Sequence, residues 1–225
     1  MNAVFTSRRD AGQKLAQQLT ACTKYPDAVV LALPRGGVPV AYEIATNLDL
    51  PLDVCLVKKL SLPKAPETAI GAVVEDALIH DYSGKLTIID QDYDPNNSSE
   101  IEAIAAQARA ELRWQDRCYR NYRPILQVKG KVVIIVDDGL ATGLTMQAAI
   151  KALRQLQPQK IVVAIPIASS KAIARLRSLV DKIICLFIPN SLGAVGFWYE
   201  DFTQISDREV CDLLSQKPVG KVVSS

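Results

Sequence analysis

Two adjacent acids, Asp137 and Asp138, end the apolar run Val132–Val136 and lead straight into GLATGLT, in a chain of 225 residues. Neighbouring carboxylates repel each other, and burying either is costly unless donors or a cation come between them. Vicinal hydroxyls suit such a pair, with a metal ion nearby. The stretch that follows comprises Gly139, Leu140, Ala141, Thr142, Gly143, Leu144 and Thr145. It places small and hydroxylated residues just ahead of a helical pattern. Its backbone N–H groups and the positive end of the helix dipole can cradle an anion, and the Thr142 and Thr145 hydroxyls add donors. An anion nest beside hydroxyl-accepting carboxylates fits a sugar phosphate. Two familiar phosphate loops are excluded, since the chain has neither G-x-x-x-x-G-K-[ST] nor G-x-G-x-x-G here.

Two more apolar runs end in chemistry. LPRGG brings Pro34, Arg35, Gly36 and Gly37 after Leu33, and VKKLSLP brings Lys58 and Lys59 after Leu56. In open α/β sheets, ligands bind beyond the carboxyl ends of the strands, near a topological switch point. The elements must therefore bring these ends to one edge. AVVLAL (28–33), LDVCLV (52–57), 132–136, 160–167 and 182–188 read as strands, with helices over 143–156 and 170–179. Alternation at these lengths predicts an α/β fold, a parallel twisted sheet flanked by helices. Ser7 and Asp10 precede Ala11, Leu15 and Leu19 in a capped amphipathic helix. AIGAVV and ALIHDY read as β segments around Glu75-Asp76. After the breaker DYDPNNSS, Ser99 and Glu102 read as a capping box for a helix with the stripe Ile101, Ile104, Ala105, Ala108 and Leu112. That helix is expected to form an arm on the main sheet.

The formal net charge of +2 argues against a nucleic-acid partner, which needs a concentrated basic face. Arg113, Arg117, Arg120 and Arg123 are the densest basic group and read as a solvated helix face. The five cysteines are scattered, without C-x-x-C spacing, so a reducing, cytoplasmic setting fits. No apolar signal core opens the chain, and no run approaches the ~20 residues of a membrane span.

VVIIVDDGLATGLT resembles the phosphoribosyl-diphosphate (PRPP) motif of type I phosphoribosyltransferases. LPRGG resembles their pyrophosphate loop, and VKKLSLP the strand end of adenine phosphoribosyltransferases. With SRRDAG, PETAIGAV and AVGFWYEDF, the whole chain looks like an uncharacterised bacterial subfamily. The resemblance implies one domain over 1–217, with a core at about 28–189, a small hood and helical arm from 60–123 and 190–205, and a loose tail at 218–225. It implies that Asp137 and Asp138 hold the ribose hydroxyls, that the loop from Leu140 to Thr145, with Ala141, Thr142, Gly143 and Leu144 between them, binds the 5′-phosphate, and that Gly139 belongs to the PRPP site. Pro34, Arg35, Gly36 and Gly37 would meet the diphosphate, with a strained or cis peptide expected at Pro34–Arg35. Lys58 or Lys59 would reach the same group, and SLPKAPETA would open a mobile cover over 60–75. Arg35, Lys58, Lys59, Asp137 and Asp138 are the catalytic candidates. Mg²⁺ is the implied cofactor, held mainly by substrate, and a homodimer is expected.

The acceptor is less defined. Ala141 stands where hypoxanthine-guanine enzymes carry an acid, as in adenine and uracil enzymes, while the C-terminal loop of uracil enzymes is not found. AVGFWYEDF loosely resembles the purine-stacking segment of the hypoxanthine-guanine group. Phe197 or Trp198 would then stack a base, Ala194 and Val195 would read its edge, and Asp201 would close the segment. The same aromatics also fit ordinary core or dimer contacts. His80 reads as structural, and Glu67 as a group able to approach the base. A PRPP- or nucleotide-sensing regulator without turnover remains the alternative, with the lysines and the balanced charge favouring an enzyme.

Overall fold

A computed structural model describes residues 3–20, 27–62, 65–74, 87–89, 98–121, 123 and 125–216. Its elements run α1 (Arg8–Leu19), β1 (Val29–Ala32), α2 (Gly37–Asn47), β2 (Leu52–Val54), β3 (Val57–Leu62), β4 (Ala65–Val74) and β5 (Thr87–Ile89). They continue with α3 (Ser98–Arg120), β6 (Val132–Val136), α4 (Leu144–Gln155), β7 (Lys160–Ile167), α5 (Ser170–Leu176), β8 (Lys182–Phe187) and α6 (Asp207–Gln216). The main sheet is parallel, in the order β2-β1-β6-β7-β8. From β1 the chain crosses to one side to form β2, and β6, β7 and β8 extend the other side. The switch point lies between β1 and β6, the two strands whose ends carry LPRGG and DDGLATGLT.

Period-two alternation explains why the strand runs are continuously apolar. Val30, Ala32, Val132, Ile134 and Val136 join the core under α1, α2, α3 and α6, whereas Val29, Leu31, Val133 and Ile135 join the core under α4 and α5. With helices on both faces, neither set can be polar. A third, smaller core joins Phe5, Ile167, Leu192, Trp198 and Tyr199 at the carboxyl end of β7. Ser7 caps α1 as expected, its hydroxyl accepting from Asp10 N at 3.3 Å. Among the described residues no helix is long and apolar enough to cross a membrane, and Cys118, Cys185 and Cys211 are free thiols.

Several expectations change. LDVCLV is not one strand: pairing to β1 stops at Val54, and the chain leaves the sheet at Cys55 and Leu56 to begin β3. Those two side chains stay fully buried, one in each core, so apolar continuity hid the change of sheet. The stretch 60–75, expected to open a covering loop, lies largely in an antiparallel pair that runs from Val57↔Val74 to Leu62↔Ala65. Helix α3 begins at Ser98, before the expected cap, and Glu102 instead accepts from Arg109 at 3.1 Å. ALIHDY with His80, and the tail 218–225, lie outside the described residues.

The arginine group is not a uniformly solvated face. Arg113 and Arg117 are exposed, but Arg120 is only 2% exposed and Arg123 is half-buried. Asp53, inside β2, is the cause. Its carboxylate is also buried and receives Arg120 Nε at 3.0 Å and Leu126 N at 3.2 Å, while Arg120 donates further to Val54 O at 2.7 Å. This ion pair fastens the end of α3 to the sheet. Removing one partner strands a buried charge. Arg120→Ala is expected to lower unfolding stability by about 3–5 kcal/mol in urea titration, and a loss within the range of ordinary surface substitutions would refute that role.

Candidate functional site

The loops after β1 and β6 open side by side, joined by Leu33 N donating to Val136 O at 2.8 Å. Their approach fixes residue size. A Cβ on Gly36 would lie 2.0 Å from Asp138 Oδ2, so only glycine lets the first loop pass the carboxylate. The Pro34–Arg35 peptide is cis. Gly37 N donates back to Leu33 O at 3.1 Å, so this amide serves the turn itself. Arg35 reaches Asp207 in the first turn of α6 at 3.6 Å, and Tyr119, at the end of α3, donates its hydroxyl to the same carboxylate.

Asp137 and Asp138 lie at the mouth of β6, partly accessible yet enclosed by protein atoms. Asp137 Oδ1 accepts Asp138 N at 2.8 Å. Burial, then the charge of Asp138, raises the Asp137 carboxyl well above its ordinary range. Burial also raises Asp138, against the opposing pull of Arg8. Arg8 Nε donates to Asp138 Oδ2 at 2.8 Å, its other end donates to Thr203 O at 2.9 Å, and its guanidinium lies 3.8 Å from the centre of the Phe202 ring. Tyr199 donates its hydroxyl to Asp138 O at 2.6 Å.

The loop from Leu140 to Thr145 is pinned by the exit of β7. Leu140 N donates to Ile167 O and its carbonyl accepts Ser169 N, each at 2.9 Å, while the Ser169 hydroxyl donates to Ala141 O at 2.6 Å. Gly143 caps α4 in the left-handed region, at φ 75°, where a side chain would be strained. It brings no capping side chain, and the first turn of α4 holds no acid, so that helix end favours an anion. Thr142 is exposed and Thr145 half-buried, beside those amides.

The lysines fare differently. Lys58 lies on β3 and pairs with Glu111 of α3 at 2.5 Å, which holds the Glu111 carboxyl below its usual range. The Lys59 and Glu67 side chains lie outside the described residues. In the segment after β8, Trp198 is buried, donates Nε1–H to Leu192 O at 2.8 Å and packs 5.1 Å from Phe187. Phe197 presents its ring to solvent at 68% exposure. Ala194 is exposed, Val195 lies against Gly139, and Asp201 accepts from Thr203 N and Oγ1. Thus the structure brings together Arg35–Gly37, Asp137, Asp138 and the loop to Thr145. Arg8, Tyr199 and Asp207 were missed. One signal was available: Arg8 and Arg9 stand in the first helical turn after Ser7, where the dipole disfavours cations.

A parallel sheet flanked by helices, with an acid pair and a glycine-capped, acid-free helix start at its switch point, defines an open α/β protein whose candidate ligand site lies at that edge. Within that class the chain belongs to the phosphoribosyl transferase domain family, whose model matches residues 6–200. The protein TT1426 from Thermus thermophilus superimposes with a TM-score of 0.80 at 39% identity, over 95% of this chain and 98% of that one. Two provisionally named phosphoribosyl transferases of Mycobacterium tuberculosis, from strains CDC 1551 and H37Rv, are 39% identical over 95% of this chain. The chain spans 47% of the length of these curated relatives.

The acid pair sets a pH dependence. Both folded-state values lie above those of an unfolded chain, so the pair's own contribution to stability is fully present below the unfolded Asp range and is lost as pH rises through the raised values. Asp137→Asn keeps an acceptor for the Asp138 amide and removes one charge. It is expected to raise the thermal midpoint at about pH 7.5, with the gain fading toward about pH 4. A midpoint below wild type at the higher pH would contradict this account.

Proposed function

We propose that the chain transfers the 5-phosphoribosyl group from PRPP to a nitrogen of a nucleobase or related acceptor, releasing pyrophosphate. The observation that carries the reading is the pairing of Asp137 and Asp138 with an α4 start that has a glycine N-cap and no acid in its first turn, at the switch point. Ribose hydroxyls would donate to the carboxylates while the 5′-phosphate takes the amides of the loop ending at Thr145. The nitrogen lone pair forms the new bond at C1 as the bond from C1 to diphosphate oxygen breaks. The diphosphate departs with the electron pair and the C1 configuration inverts. Such a reaction passes through an oxocarbenium-like state, as glycoside cleavage does.

The protein's share is then mainly electrostatic. Carboxylates favour the cationic ring, and Arg35 with Lys58 or Lys59 favours charge on the leaving group. Arg35 and Lys58 would exchange Asp207 and Glu111 for the diphosphate. The donor set suits magnesium held chiefly through substrate. Asp137 and Asp138 are hard oxygen donors beside the expected ribose, and among the described residues no group of three His, Cys, Asp or Glu could hold a metal. Bound there, Mg²⁺ would offset diphosphate charge. Phe197 is the exposed aromatic available to stack a base, and Ala194, Val195 and Asp201 lie on the same segment. A cytoplasmic homodimer in nucleotide salvage belongs to the same proposal, on family grounds.

Incubation with PRPP, Mg²⁺ and a panel of nucleobases, followed by pyrophosphate assay, tests the reading. Release with at least one base is expected. Silence across the panel despite PRPP binding would replace the enzyme with a sensor. Arg35→Ala is expected to lower kcat by about 10²–10³ with the fold retained, and unchanged turnover would place the leaving group elsewhere. Asp138→Asn is expected to weaken PRPP binding in calorimetry, and equal affinity would remove the ribose assignment.

A further inference from the structure

We infer that Arg8 is a positioning residue for the proposed ribose site: it holds one oxygen of Asp138 so that the other is presented to the sugar. This rests on the reading of the acid pair as the ribose acceptor.

The position is unusual for an arginine. Arg8 opens α1, where the helix dipole disfavours a cation, yet it is 8% exposed. The chain before it is laid there by backbone pairing: Phe5 bridges Tyr199, Glu200 N donates to Phe5 O at 2.9 Å, and Asp201 N donates to Thr6 O at 3.0 Å. Arg8 therefore reaches Asp138 across 130 residues of sequence by the folding of the N-terminal segment onto the Trp198–Asp201 stretch.

The manner of the contact matters as much as its presence. A guanidinium usually grips a carboxylate through two parallel bonds, which would occupy both oxygens. Here only Nε meets Asp138, at Oδ2, while Nη1 is spent on Thr203 O and the guanidinium is stacked on Phe202. Oδ2 is also the atom that faces Gly36. Among the described residues no other residue donates a hydrogen bond to Oδ1. Arg8 fixes the rotation of the carboxylate from one side, and Tyr199 holds the same residue's main chain at 2.6 Å. The oxygen left over is the acceptor a ribose hydroxyl requires. Arg8 thus acts through Asp138, and its partners on 199–203 tie that orientation to the segment proposed to meet the acceptor base.

Shortening this side chain leaves no sealed hole. Arg8 also lines a cleft of about 350 Å³ with Arg9, Pro39, Asp201 and Glu209, so the vacated space opens to water. The test is calorimetry of PRPP with Mg²⁺ on wild type, Arg8→Gln, Arg8→Lys, Asp138→Asn and the Arg8→Gln/Asp138→Asn pair, with circular dichroism as the fold control. Arg8→Gln is expected to raise Kd about tenfold, Arg8→Lys to recover part of that loss, and the double variant to bind no worse than Asp138→Asn alone. In turnover, KM for PRPP should rise by more than kcat falls. Wild-type affinity in Arg8→Gln, or a loss that adds in full to that of Asp138→Asn, overturns this role and leaves the ribose site standing. A wild-type protein that binds no PRPP removes the ribose site, and this inference with it.

Discussion

Two like charges on consecutive residues at the mouth of a buried strand are the constraint around which this fold edge is arranged. Burial and mutual repulsion both raise the Asp137 carboxyl, and burial raises Asp138. Left alone, such a pair would favour protonation or a displaced strand end. The surroundings answer with one cation, one main-chain donor and one glycine: Arg8 on Oδ2, the Asp138 amide on Asp137, and Gly36 where any Cβ would collide. None of these fully neutralises the pair. The residual cost makes sense if a ligand supplies the remaining donors, in line with the general tendency of perturbed carboxyls to mark sites.

The parallel sheet makes that arrangement possible. Only at the switch point do two loops diverge to opposite sides and leave room between them. Here that room falls between β1 and β6. The elements outside the sheet then act as fasteners. Arg120 and Asp53 tie α3 to β2, Tyr119 and Asp207 tie α3 to α6, and Arg35 meets the same Asp207 from the first loop. The arm helix is thus joined by charge and hydrogen bonds to a side chain of the proposed diphosphate loop. In this structure the cations Arg8, Arg35 and Lys58 are each paired with a carboxylate. For Arg35 and Lys58 those pairs are more than a third exposed, where ion pairs contribute little and exchange readily.

Much of this was legible along the chain. The strand at 132–136, the strand at 160–167 and the helix after Gly143 followed from apolar periodicity, because burial on both faces leaves a continuous signal. The acid pair and the loop behind it were readable for a related reason: local chemistry in consecutive residues needs no partner to be recognised. The break at Cys55–Leu56 was not readable, since a chain that leaves one sheet for another while staying buried keeps its apolar pattern. The arginines of α3 misled similarly. Helical spacing groups them on one face, but it says nothing of an acid on β2 that draws Arg120 inward.

Sequence by itself determined the class of fold and the residue types that end β1 and β6, because those properties are written in short runs. Tertiary structure decided the rest. It chose Phe197 over Trp198 as the exposed ring, set Lys58 against Glu111, and brought Arg8 to Asp138. Each of these depends on which distant segments share a core, and that is settled by packing and charge pairing over the whole chain rather than by any local pattern.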